Sequence, residues 1–149
     1  MPRPLTQQER EAFLAESHVA VLSLPSDDAC PPLSFPVWYG YEPGGLITWY
    51  SYRSEPKPRK LRLIHRGSVL SLCVQREALP YKYVTVEGTV VAENDGPTSE
   101  QRLAIISRYL PADEAEAYLR NEIESGVNLV HFTIRPDRWA SLDFAEDAG

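Results

Sequence analysis

The chain has 149 residues, 43% of them hydrophobic and 24% charged, which suits one domain with a real core and excludes global disorder. A formal net charge of −6 and a pI near 5.1 exclude a general nucleic-acid coat, since a phosphate polymer requires a broadly basic surface. No apolar run approaches the ~20 residues that span a bilayer, and "MPRPLTQQER" has no signal-peptide pattern; the expectation is a cytoplasmic protein with neither membrane nor nucleic-acid partners.

The first element is a helix over "TQQEREAFLAES", where Thr6 followed by Glu9 forms a capping box and Phe13 and Leu14 supply an apolar edge. "HVAVLSL" (18–24) is β-rich and ends in the turn composition Pro25-Ser26-Asp27-Asp28. Two aromatic runs follow, 33–41 and 46–52, joined by "EPGG". Gly44 and Gly45 supply the positive φ of a tight turn, so the spacing predicts that these two strands pair. From Lys57 to His65 the period changes. Leu61 and Ile64, with Leu63 nearby, fall at helical spacing, with Lys60 and Arg62 facing outward.

"SVLSLCVQ" and "YKYVTVEGTVVAEN" read as strands, the second alternating at Val84, Val86 and Val90. "PTSEQRLAIISRYL" and "PADEAEAYLRNEIE" read as two helices parted by Pro111. "NLVHFTIRP" reads as the closing strand and "RWASLDF" as one more. Residues 1–5 and 145–149 are expected to fray. The order is about six antiparallel strands with helices at the start, middle and end, and no parallel crossover. The class is mainly β: one domain over 1–149, a small antiparallel barrel with peripheral helices.

Few residues carry an obvious chemistry. Cys30 and Cys73 form no CxxC and have no histidine at metal spacing, so they read as free thiols and no metal site is expected. His18, His65 and His131 lie far apart with no triad spacing. Glu114/Glu116 and Glu122/Glu124 read as solvent charge on a polar helix face. No catalytic residue is identified.

The exception is "YSYRSEPKPRKLRLIHR", which gathers Arg53, Lys57, Arg59, Lys60, Arg62, His65 and Arg66 directly after an aromatic strand. Charge runs are mostly solvated faces. Here, however, Ser51 ends a strand, Arg53, Lys57, Arg59 and Lys60 offer charge-assisted donors, and a helix starting near Lys57 adds its positive end. Trp38, Tyr39, Trp49 and Tyr50 stand beside this cluster as flat apolar area, an arrangement that suits a flavin mononucleotide. Neither GxGxxG nor GxxxxGK[ST] occurs, which disfavours Rossmann and P-loop phosphate sites.

The order "PPLSFPVWYGYEPGGLITWYS", "KPRKLRLIHRGSVLSL", "YKYVTVEGTVV", with the late "ISRYLPADEAEAYL" and "HFTIRPDRW", resembles the pyridoxamine 5′-phosphate oxidase-like family of flavin and deazaflavin oxidoreductases. The resemblance runs over roughly residues 6 to 143 and implies a six-stranded antiparallel split β-barrel of the FMN-binding type. It places Ser51 and Lys57 on the cofactor phosphate, with Arg59 at a second basic position. It places Val37 and Trp38 on the strand passing the flavin ring, with Tyr50 near it, and Lys82 and Tyr83 on a later segment reaching the cofactor. Pro56 stands where the family has an arginine, and Arg53 or Arg59 is the replacement in view. "RWASLDFAEDAG" lacks the Arg-rich, His-containing motif with which the family's oxidases grip a substrate phosphate, so oxidation of vitamin B6 is not expected.

The resemblance implies an oxidoreductase that uses FMN to move hydride to or from a small organic substrate. The alternatives are coenzyme F420 in the same seat, a non-catalytic flavin- or haem-binding protein, and an empty barrel serving as an interaction module. A homodimer is expected. The interior of a small barrel is filled by side chains, so a tricyclic ring lies in an outer groove and needs a second wall. The aromatics around 38–52, with Tyr81 and Tyr83, exceed what so small a core needs and supply material for that wall.

Overall fold

The computed structural model describes residues 1–27 and 29–145. In chain order the elements are α1 (Gln7–Ala15), β1 (Ala20–Leu24), β2 (Leu33–Val37), β3 (Ile47–Arg53), α2 (Arg59–Leu63), β4 (Val69–Arg76), β5 (Lys82–Asp95), α3 (Ser99–Ile106), α4 (Ala112–Ser125) and β6 (Asn128–Asp143). The six strands form one antiparallel sheet in the order β2-β1-β4-β5-β6-β3, curled into an open barrel with the helices at its periphery. The six-stranded antiparallel split β-barrel read from the sequence is the observed architecture.

Alternation builds the core. Along β1, β4 and β5 the inward residues Leu22, Leu24, Leu72, Val74, Val84 and Val86 are buried, while Val21 and Val69 face out. Trp49 from β3 stacks on Phe132 from β6 with ring centroids 4.9 Å apart, and Phe35 from β2 leans against it at 5.7 Å. Tyr39 is also fully buried, its hydroxyl donating to the Leu14 carbonyl at 2.6 Å. Two of the aromatics read as material for an outer wall therefore fill the barrel instead.

The capping box at Thr6 and Glu9 starts α1 as read, and Thr98 with Gln101 starts α3 in the same way. Three other expectations need correction. The strands at 33–41 and 46–52 do not form a hairpin ladder: β2 pairs with β1 and β3 with β6, and among the described residues the backbones of the two runs pair at the Gly40–Thr48 bridge alone. The two final strands are one. Pro136 is accommodated because a bulge opposite Glu87 and Gly88 shifts the register where the proline cannot donate. Gly88 is needed there, since a Cβ would stand 2.6 Å from Ile134 Cγ2 and 2.7 Å from the Arg135 carbonyl oxygen.

At the N-terminus, Arg3 bridges to Asp143 through two backbone hydrogen bonds and Leu5 is buried, so fraying stops short of these residues. Of the C-terminal segment expected to fray, 146–149 lie outside the described residues.

Candidate functional site

The barrel is open between its first and last sheet positions. Gly40 and Thr48 exchange both backbone bonds, at 2.8 and 2.9 Å, and the close approach requires glycine: a Cβ on Gly40 would lie 2.7 Å from Thr48 Oγ1. Beyond that bridge β2 turns away onto β1, and Pro36 has no N–H to offer β3. Backbone groups alternate along an antiparallel strand, so Tyr50 and Tyr52, in step with Thr48, turn their N–H and C=O groups toward the same unladdered edge.

The slit so formed is a cavity of about 250 Å³. Pro36, Val37 and Trp38 line it from one side and Trp49 to Tyr52 from the other, with Lys60 of α2, Ile105 of α3, and Tyr118 and Glu122 of α4 completing it. Four residues nominated from sequence meet here: Val37, Trp38, Tyr50 and Ser51. The Trp38 ring lies flat on Tyr109 at 4.8 Å, inclined 8°, and tilts against Tyr118 at 5.6 Å. Its position is therefore set by the α3–α4 segment. Tyr109 is itself anchored through hydrogen bonds to the His18 carbonyl at 2.7 Å and from the Tyr39 amide at 3.1 Å.

Glu122 was not foreseen. Its side chain is buried, against the expectation that the Glu122/Glu124 pair is solvent charge. Tyr52 donates to Oε2 at 2.7 Å and Tyr50 to Oε1 at 3.1 Å, while Arg102 Nη1 lies 4.0 Å from Oε1. Burial first, and then the Glu122 charge, raises the Tyr50 pKa. Tyr52 is raised too, by burial and by its hydrogen bonds with Tyr118 and Glu122. Both phenols are held as donors. A sequence signal existed: Ala115, Tyr118 and Glu122 fall at i, i+3 and i+7, so Glu122 sits on the inward stripe of α4.

The other nominated residues lie outside the slit within one chain. Arg53 is taken by Asp95 at 2.6 Å and Glu93 at 3.5 Å. Lys57 is exposed, and Arg59 is exposed with its guanidinium on the Ser26 hydroxyl. Lys82 pairs with Asp143 at 3.9 Å, and Tyr83 follows it on β5. Ser51 opposes Val130 on β6 and Lys82 opposes Asp143, so about 40 Å of strand separates them along β6. The helix expected from Lys57 begins only at Arg59, has five residues, and is preceded by Pro58, which has no N–H. Its dipole contributes little to an anion seat. The slit's cation is Lys60, whose Nζ lies 5.0 Å from the Phe35 ring centroid and whose pKa is lowered by burial.

Among the described residues, no group of histidines, cysteines and carboxylates is placed to hold a metal, and no helix is long and apolar enough to cross a membrane. A second groove of about 540 Å³, bordered by Val69, Leu70, Ser71 and Gly88, lies on the outer sheet face. It is larger than the slit, but no nominated residue lines it.

No protein-family model and no curated protein matches the sequence. Solved structures do match in fold. A FAD-binding protein from Mesorhizobium loti superposes with a TM-score of 0.63 at 19% identity, covering 98% of each chain. An F420 reductase gives 0.63 at 23% identity over 87% of this chain and 94% of its own. A FAD and haem binding protein from Mycobacterium smegmatis gives 0.58 at 18% identity, covering 99% of this chain and 76% of its own. At these identities the likeness is one of fold: this chain shares the split barrel of these three proteins.

Proposed function

We propose that the slit holds the ring of a flavin-type cofactor, FMN in the first instance, and that the protein is an oxidoreductase acting on a small organic molecule. The observation that carries this reading is the open side of the barrel, where aromatic walls, an unladdered strand edge and one cation share a cavity. The residues fit such a group. Trp38, Tyr50 and Tyr118 offer apolar faces, and the Tyr50 and Tyr52 backbone edge offers donors and acceptors to a heteroaromatic rim. When bound, the flavin supplies the hydride chemistry. The chain's own part is to orient the ring, exclude water with the α3–α4 aromatics, and keep the Tyr50 and Tyr52 phenols protonated.

A homodimer belongs to the same proposal. At about 250 Å³ the slit falls below the roughly 300–1,000 Å³ of ordinary ligand pockets, so a tricyclic ring would protrude and needs a further wall. Val21 and Val69, 45% and 59% exposed, offer an apolar outer face to a second copy. Lys82 and Tyr83, remote from the slit of their own chain, are available to that of a partner.

Coenzyme F420 is the second reading, favoured by the likeness to an F420 reductase and by Arg59 and Arg62 flanking Lys60 on α2. Titration of the purified protein with FMN and with F420, followed by visible absorbance and fluorescence, tests both. Saturable binding of either sustains the flavin-type reading, and the tighter ligand names the cofactor. A haem Soret band with no flavin binding replaces it with a non-catalytic role, and binding of none of these leaves an interaction module.

A further inference from the structure

We propose that Lys60, rather than Lys57, anchors the anionic group of the ligand in the slit; this rests on the flavin-type reading above and specifies the residue that recognises the cofactor's phosphate ester. The local fold makes the choice. Leu61 and Ile64 are buried and pin α2 against the barrel, which leaves Arg59 and Arg62 outside and turns Lys60 toward Phe35 and the cavity. Lys57 precedes the helix and is exposed.

Lys60 is also the one basic side chain of the basic run with an unmet electrostatic need. It is half-buried and forms no ion pair with Glu122 or any other carboxylate among the described residues. An ammonium group so placed loses hydration with only an aromatic face in return, and burial accordingly lowers its pKa. An anion arriving in the slit restores the lost stabilisation. Glu122 does not neutralise Lys60 in its place: no ion pair joins them, and its oxygens accept from Tyr50 and Tyr52 with Arg102 at 4.0 Å. The chemistry recognised is therefore a phosphate ester joined to a flat ring. The phosphomonoester of FMN and the phosphodiester of F420 both carry it.

The test compares each cofactor with its dephosphorylated counterpart: FMN with riboflavin, and F420 with its deazaflavin riboside. Binding is followed by fluorescence for the wild type and for Lys60→Met, Lys60→Arg and Lys57→Met. In the wild type one phosphorylated ligand should bind at least about tenfold more tightly than its counterpart, and which pair shows the gap identifies the phosphate recognised. Lys60→Met should close that gap, while Lys57→Met and Lys60→Arg keep it. Raising the pH toward the lysine range should close it in the wild type and not in Lys60→Arg, a difference that a purely structural lysine would not produce. A gap that survives Lys60→Met, or that Lys57→Met abolishes, overturns the assignment. Equal binding of both members of each pair overturns it while leaving the flavin-type reading in place. No binding of any of the four compounds overturns both.

Discussion

Tyr52 donates its phenolic hydrogen to Glu122 Oε2 across 2.7 Å, joining the free-edge strand β3 to the helix that covers it. Tyr50 does the same to the other oxygen, so a single buried carboxylate holds two neighbouring strand positions. Glu122→Leu orphans both phenols and leaves Arg102 without its counter-charge, at a cost of about 1–3 kcal/mol; Tyr52→Phe, at a half-exposed position, should cost about 1 kcal/mol. Urea denaturation of both variants measures the difference, and equal effects would mean that Glu122 is not the hub. In Glu122→Leu the Tyr50 phenol should ionise at lower pH than in the wild type while staying above its ordinary range, because burial persists as the larger cause.

Gly88 sits at the bulge that lets β6 pass Pro136 without ending. Its missing Cβ makes room for Ile134 Cγ2 and for a backbone carbonyl, and backbone cannot rotate away as a flexible side-chain end does. Gly88→Ala should destabilise by about 1–3 kcal/mol. Gly45→Ala is a weaker perturbation, since its nearest neighbour would stand at 3.0 Å. Thermal unfolding of the two variants side by side checks the ranking.

His131 is 3% exposed, its Nδ1 has no hydrogen-bond partner among the described residues, and burial lowers its pKa below the usual 6.5. The unfolded chain therefore takes up a proton on this ring at higher pH than the folded one. Stability contributed by the neutral ring is full above about pH 6.5 and declines as the pH falls below it. Urea midpoints at about pH 7.5 and about pH 5.5 should differ for the wild type, and His131→Leu should flatten that part of the profile. An identical slope in the variant would assign the acid sensitivity to other groups.

For the proposed dimer, light scattering at micromolar concentration should give a mass near twice 16.8 kDa. Val69→Glu, placing charge in the outer groove, should shift the population to monomer without loss of folding, because Val69 is 59% exposed in the single chain. A wild-type mass of one chain, unchanged by added flavin, would end the dimer proposal.

Much of the fold was legible because its determinants are local. Alternation along Val84, Val86 and Val90 marked β5, and the Thr6–Glu9 spacing marked the start of α1; each depends only on residues a few positions apart. The site was legible in part. Val37, Trp38, Tyr50 and Ser51 line one cavity. The basic run also reaches the slit, but through Lys60, because the buried Leu61 and Ile64 decide which side of α2 turns inward.

What the amino-acid order determined by itself was the kinds of element, their antiparallel class and the concentration of aromatics and cations between 38 and 66. Only the tertiary structure decided which strands pair, that β2 and β3 part after a single bridge to leave a slit, and that Glu122 and Lys60 face into it while Arg53 and Arg59 are taken by other partners. The physical reason is range. Periodicity reports which face of an element is buried, but not against what. The partner of an edge strand or of a buried charge is set by contacts between residues dozens of positions apart, such as Tyr52 and Glu122.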